Sequence, residues 1–396
     1  MHKNNLEYTC IFGGGAIRGF AYIGALRALE EIGVTIKTLA GSSVGAIFAG
    51  LLAVGYTTQE IEEILLKINY DLFRDIQIGK TFGISKGEVF LEWLKELLEQ
   101  KFYGENYQKG KNPPIKFSDI EKNLVIITTN LANFECKEFS NFKTPDVEIA
   151  YAIRISAGMP GLMQPIKAGN AILVDGDLQK SWPLWLLAPD LCKQKERILE
   201  FRLEGDYDVE KNGHIDFVNT VYSCVTSIAT KFIVEKYAKK DKFDYLILNT
   251  GSTIIVNFNL NEEKRKELIQ IGYDQTKEYF TTTLKQKKKE LLNYYNPVLT
   301  LLETLQTKIK QNKIMDVKNI LGEFYMQYIQ TISMYIEKTY LQELEHIKKL
   351  FLENYYTQKF FKTPRLKNSK ALLHKIEKFK SEINERILEL QSYNPS

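Results

Sequence analysis

The sequence predicts an α/β fold, a sheet-centred α/β/α domain followed by an all-α C-terminal bundle. Three observations carry this. Two apolar strand patterns, Leu6 to Phe12 and Val34 to Ala40, each run into a glycine-bearing turn and then a helix pattern. Further strand patterns recur as far as Tyr245 to Asn249. Beyond about residue 286 none remains, and apolar stripes at helical spacing take over. The 396 residues, 44% hydrophobic and 26% charged, are enough for two cores. Residues 1–285 and 286–396 are the two domains expected.

Leu6 to Phe12 ends in Gly13-Gly14-Gly15-Ala16-Ile17-Arg18-Gly19, and a helix pattern with Ile23, Leu26, Ala28 and Leu29 follows. A glycine turn at a helix start presents unpaired N–H groups, so it suits an anion. No register of the dinucleotide fingerprint G-x-G-x-x-G fits it. Val34 to Ala40 leads into Gly41-Ser42-Ser43-Val44-Gly45, and Ala46 to Val54 continues as a helix of small residues. The alternation of strand, turn and helix argues a parallel sheet, whose ligands bind beyond the carboxyl ends of its strands.

Thr58 to Tyr70 and Ser85 to Phe102 read as helices, broken at Gly79 to Gly83, and Lys109 to Pro114 as a loop. Leu124 to Thr129 reads as a buried strand with Cys136 to Phe139 as hairpin partner. Glu148 to Ser156 is a helix pattern, and Ala171 to Val174 a strand that stops at Asp175-Gly176-Asp177. Ile198 to Leu203 and Tyr245 to Asn249 are strands with Asn219 to Lys239 helical between them, and Glu262 to Phe280 closes the domain as a helix. In the C-terminal part, Val298, Leu302, Leu305 and Ile309 form one stripe. Leu321, Tyr325, Tyr328, Ile332 and Ile336 form a second, and Leu372, Ile376, Phe379, Ile383, Ile387 and Leu390 a third. Such helices pack on one another as a bundle, with breaks expected at Pro297 and Thr363-Pro364.

Composition narrows the functions. Cys10, Cys136, Cys192 and Cys224 lack C-x-x-C spacing and paired histidines, so they read as free thiols and not as a metal site. The N-terminus lacks a secretory pattern, and the apolar run Leu39 to Gly55, interrupted by serines, falls short of a membrane span. A cytoplasmic protein, peripheral to a membrane or exported without a signal, is the expectation. Residues 281–396 hold about 20 Lys+Arg against about 12 Asp+Glu.

Gly41 to Gly45 spells G-x-S-x-G, which in front of a helix suits a serine nucleophile at Ser43 on a sharp turn. Alone it is a weak signal, since a plain buried turn reads the same. A serine hydroxyl needs a base. Of the four histidines, His2 lies in the tail, His214 in the polar loop Asn212-Gly213-His214, and His346 and His374 in the C-terminal helices. A Ser-His-Asp triad is therefore disfavoured, and the base falls to a carboxylate. Asp175, ending an apolar strand before Gly176, is the candidate; an ordinary Asp-Gly turn is the plain alternative.

The glycine loop, the Ser43 motif, Ser156-Ala157-Gly158-Met159-Pro160 and Asp175-Gly176, in this order, resemble the patatin-like phospholipase family over residues 6 to 285. The resemblance implies a Ser-Asp dyad of Ser43 and Asp175. It also implies an oxyanion hole from the backbone of Gly13, Gly14 and Gly15, with Arg18 fixing that loop or a substrate phosphate. It further implies a phospholipase A type lipid acyl hydrolase without cofactor or metal. Two departures stand out: Phe12 where the family often has an acidic residue, and Asp177 where it has a small one. A second carboxylate beside Asp175 either raises the proton affinity of one of the two or points to solvent.

The bundle carries Lys285, Lys287, Lys288 and Lys289, then Lys359, Lys362, Arg365, Lys367 and Lys370 among Tyr355, Tyr356, Phe360 and Phe361. These residues suit an anionic membrane surface, or else are a solvated helix face over a core. No nucleic-acid motif accompanies them. The alternative function is an interaction module whose bundle binds an activating protein partner and gates the hydrolase domain. A catalytically silent lipid binder is disfavoured by the complete Ser, Asp and glycine set.

Overall fold

The computed structural model describes residues 6–68, 83–179, 196–205, 237–251, 260–357 and 364–393. His214, Cys192, Cys224, the Gly79 to Phe82 part of the expected break and most of the helix expected over Asn219 to Lys239 lie outside them. The described residues form two compact units. The first takes residues 6–68, 83–179, 196–205, 244–251 and 260–279; the second takes 237–243, 280–357 and 364–393.

The first unit is built on a sheet of eight strands. In chain order these are β1 (Leu6–Phe12), β2 (Val34–Gly41), β4 (Asn123–Asn130), β5 (Glu135–Ser140), β7 (Ile166–Ala168), β8 (Ala171–Asp175), β9 (Arg197–Glu204) and β10 (Phe243–Asn249). The short strands β3 (Gly83–Ser85) and β6 (Gly161–Met163) pair separately. The order is β10-β9-β1-β2-β4-β8-β7, with β5 also on β4. Helices α1 (Phe20–Ile32), α2 (Val44–Ala53), α3 (Thr58–Lys67), α4 (Glu88–Tyr103), α5 (Ile149–Ser156) and α6 (Glu262–Glu278) belong to this unit.

The sheet is mixed, which corrects the expectation of a parallel one. Strands β9, β1, β2 and β4 run parallel, whereas β5 and β8 are antiparallel to β4 and β7 is antiparallel to β8. The parallel half comes from strand-helix-strand crossovers, whereas β4–β5 and β7–β8 are joined by short returns that leave no room for a crossover helix. One row crosses the sheet through Phe201, Phe12, Gly41 and Ile126. The special turns after Phe12 and Gly41 therefore leave the sheet at one level. The core beneath them is aromatic, with Phe12 stacked on Phe201 at 5.4 Å and edge-on to Tyr22 at 5.2 Å. Helix α4 starts three residues later than Ser85, because Ser85 pairs with Met163 as part of β3.

The second unit holds α7 (Leu284–Lys310), α8 (Ile314–Gln327), α9 (Ile329–Tyr335), α10 (Lys338–Asn354) and α11 (Ser369–Ser392), with a small hairpin of β11 (Tyr355–Thr357) and β12 (Pro364–Leu366). A π-helical turn, Tyr279–Thr283, precedes α7. The stripes close on one core that includes Val298, Leu302, Leu305, Ile332, Ile376 and Phe379. Pro297 does not break its helix but lies inside α7. Its cost of about 3 kcal/mol is outweighed by the buried residues on either side of it, Tyr295, Val298, Leu301 and Leu302. Tyr328 leaves its stripe: α8 ends one residue earlier and the phase is reset, so Tyr328 is 48% exposed while Ile332 and Ile336 stay buried. Buried Asp241 is held by Arg386 Nε at 2.7 Å and by the Tyr295 hydroxyl at 2.7 Å, which ties residues 237–243 into this unit.

The first basic run is only partly a surface. Lys288 is buried with its ammonium 3.5 Å from the centre of the Tyr393 ring, and Lys287 donates to the Phe243 carbonyl. Lys285 and Lys289 are exposed, as are Arg365, Lys367 and Lys370 of the second run; Lys359, Phe360, Phe361 and Lys362 lie outside the described residues. No helix among the described residues is long and apolar enough to cross a membrane.

Candidate active site

Strand β2 delivers Gly41 to the sheet edge, and the chain reverses at once into α2. Ser43 is the turn residue, with φ 53° and ψ −127°, a conformation that L-residues with side chains rarely adopt. The strain is held by close packing. A Cβ on Gly41 would run into the Gly45 carbonyl, and one on Gly45 into the carbonyls of Phe12 and Gly13. Ser43 is half-buried at the N-terminus of α2, where the helix dipole favours negative charge, while its neighbour Ser42 is buried. Its N–H donates to Ser156 Oγ at 3.0 Å, and the Ser156 hydroxyl donates in turn to the Ile127 carbonyl at 2.5 Å. Ser156 is thus a bracket from α5 that fixes the turn.

The glycine loop lies directly against this turn. Gly14 comes so close that a Cβ added to it would sit 2.9 Å from the Ser43 Cβ and 2.7 Å from the Asp177 carboxylate. Two of the loop's three glycine N–H groups are used. Gly13 donates to the Phe201 carbonyl at 3.2 Å, and Gly14 to Asp177 Oδ1 at 3.1 Å. Gly15 N–H has no protein acceptor among the described residues. The Gly13 carbonyl accepts from the Tyr22 hydroxyl at 2.8 Å, and burial pushes that phenol well above the usual tyrosine range, so it stays a donor. Arg18 is buried, with its guanidinium against the backbone of Gly205.

Asp175 reaches the same edge by a route opposite to the expected one. Strand β8 is antiparallel to β4, and its carboxyl end stops opposite Thr128, two residues beyond the level of Gly41. That is about 7 Å along a strand. Gly176 then packs on the serine turn, since a Cβ there would lie 3.2 Å from the Ser42 Cβ. Asp175 is fully buried, and its Oδ1 accepts the Asp177 N–H at 2.8 Å in an Asx turn.

Asp177 does not point to solvent; it is 4% exposed. Its Oδ1 accepts from the Ser42 hydroxyl at 2.7 Å and faces Arg202 Nη1 at 3.5 Å, in addition to Gly14 N–H. Arg202 also pairs through Nε with buried Glu200 at 2.8 Å. Burial alone would lower the pKa of Arg202, but Glu200 and Asp177 together hold it above the usual arginine range, so the guanidinium is charged. The two carboxylates, one ending β8 and one just beyond it, thereby face different partners.

Tyr22, Glu200 and Arg202 are not among the residues the sequence points to at the site, and Ser156 is singled out there only as the first residue of a motif, without a role. Glu200 and Arg202 leave a trace, two charges at alternate positions between Leu199, Phe201 and Leu203. Tyr22 reads only as part of an apolar helix face. The arrangement provides a half-buried serine at a helix N-terminus, a buried carboxylate at the end of β8, with β4 between it and β2, and a backbone N–H with no acceptor among the described residues, which are the parts acyl transfer needs.

Residues 10–187 match the family described as patatin-like phospholipase. The chain is 28% identical over 279 residues to the uncharacterized protein R571 of Acanthamoeba polyphaga mimivirus, covering 67% of this chain and 91% of that protein. It is 32% identical over 182 residues to the probable lipid hydrolase 463L of Invertebrate iridescent virus 6, covering 44% and 61% respectively. The crystal structure of VipD from Legionella pneumophila aligns with a TM-score of 0.49 at 15% identity, covering 98% of this chain and 88% of that one. The glycine loop, the serine turn and Asp175 all fall inside the matched stretch, and the chain carries a patatin-like phospholipase domain over residues 10–187.

Proposed function

We propose that the protein is a lipid acyl hydrolase of phospholipase A type that cleaves fatty-acyl esters of phospholipids through a Ser43 acyl-enzyme. The observation that carries the reading is the strained Ser43 turn packed on the glycine loop. The lipid hydrolase name of the iridescent-virus relative agrees with it.

In this mechanism Ser43 Oγ attacks the ester carbonyl while Asp175 accepts its proton. The tetrahedral oxyanion is met by the glycine loop, with Gly15 N–H as the donor that has no acceptor among the described residues. The positive end of α2 favours the same negative charge. Collapse expels the lysolipid alkoxide, which takes the proton back from Asp175, and leaves the acyl group on Ser43. Asp175 then deprotonates a water that attacks the acyl-enzyme; collapse releases the fatty acid, and the leaving Ser43 Oγ takes that proton back from Asp175. The reaction as written uses no cofactor.

Release of free fatty acid from mixed phospholipid vesicles tests this. Wild type should release it, and Ser43→Ala should fall by about 10³-fold or more while keeping the wild-type melting temperature. Equal release by both proteins would remove Ser43 from the chemistry.

A further inference from the structure

From its contacts we infer that Asp177 is a positioning residue, a carboxylate latch that holds the glycine loop onto the serine turn. The inference rests on the hydrolase reading for its effect on turnover, but not for its effect on the loop.

Asp177 stands where three segments meet. Oδ1 accepts from Gly14 N–H at 3.1 Å and from Ser42 Oγ at 2.7 Å, and it lies 3.5 Å from Arg202 Nη1. A carboxylate placed there only to neutralise Arg202 would sit closest to the guanidinium. Instead Arg202 is nearer to Glu200, at 2.8 Å, and the short bond of Asp177 goes to Ser42, the residue beside the nucleophile. The loop amide of Gly14 and the Ser42 hydroxyl both donate to the same Asp177 oxygen.

The geometry sets the consequence. A Cβ added to Gly14 would sit 2.7 Å from the Asp177 carboxylate and 2.9 Å from the Ser43 Cβ, so the loop backbone is packed between the two. The latch therefore fixes the gap between the loop and Ser43. It also claims Gly14 N–H, which leaves Gly15 N–H as the loop donor for an oxyanion. An oxyanion donor displaced by about 1 Å costs on the order of 10²-fold in rate.

Two substitutions separate positioning from bulk stability. Asp177→Asn and Asp177→Ala remove the same charge from Arg202, but only asparagine keeps an oxygen that accepts from Gly14 N–H and Ser42 Oγ. On a soluble short-chain p-nitrophenyl ester, Asp177→Ala should lose about 100-fold in kcat with KM within about threefold, and Asp177→Asn should stay within about tenfold of wild type. Amide hydrogen exchange of the peptide containing Gly13 to Gly15, read on the same proteins, should be at least about tenfold faster in the alanine variant and near wild type in the asparagine variant. Equal kcat in the two variants, or loop exchange in Asp177→Ala unchanged from wild type, overturns the latch. A wild type that is silent on esters, or a Ser43→Ala variant as active as wild type, refutes the hydrolase reading instead, and the exchange measurement then decides the latch by itself.

Discussion

Asp175→Asn is expected to lower kcat on a lipid ester by between about 10² and 10⁴-fold, with little change in KM or melting temperature. The amide is nearly isosteric and keeps an oxygen for the Asp177 N–H, so the turn at Gly176 persists. It cannot take a proton from Ser43. Steady-state kinetics beside a thermal melt checks both halves. Activity within a few-fold of wild type would move the base elsewhere.

Gly45→Ala is the second large effect. A methyl there meets the carbonyl oxygens of Phe12 and Gly13, which are backbone atoms held by the sheet and by Tyr22, so neither can yield cheaply. Overpacking of this kind costs about 1–3 kcal/mol, read as a lower urea midpoint. The larger loss is in rate, at least about 100-fold, because the added methyl pushes the serine turn away from the glycine loop. A variant with wild-type kcat would show that the spacing between these two turns does not govern turnover.

The parts of the site that lie close in sequence are legible in it. Strand, glycine turn and helix at Phe12 to Gly19, and strand, serine turn and helix at Gly41 to Gly45, are local patterns. They land on one row of the sheet because a strand's end and the helix after it are set by neighbouring residues. The sequence puts Asp175 at that edge only on the premise that its strand runs with the others. It lies near the edge because β8 runs the other way and stops at Thr128. Strand direction depends on pairing between distant segments, which an apolar run of five residues does not encode.

The same limit hides the second set of residues. Asp177 reads as a second carboxylate beside Asp175, because the sequence shows only their spacing of two. The structure separates them by backbone geometry, with the N–H of residue 177 turned to Asp175 and its carboxylate turned to Ser42 and Gly14. Tyr22 and Arg202 act through contacts that cross 9 and 25 positions, to Gly13 and Asp177, and nothing in their own segments names those partners, although Arg202 stands out as a charge between apolar residues. In the bundle, Lys287 and Lys288 read as surface charge because a lysine run has no visible direction. One turn of helix brings Lys288 under Tyr393.

The nucleophile itself is tested most directly by trapping it. Wild-type protein treated with an alkyl fluorophosphonate, digested and mapped by mass spectrometry should carry one phosphonyl group on Ser43 and none on Ser42. Ser43→Ala should carry none, and Asp175→Asn should label at least about 100-fold more slowly. An adduct on another residue, or full labelling of Ser43→Ala, would contradict the assignment of Ser43 as the acyl-accepting serine.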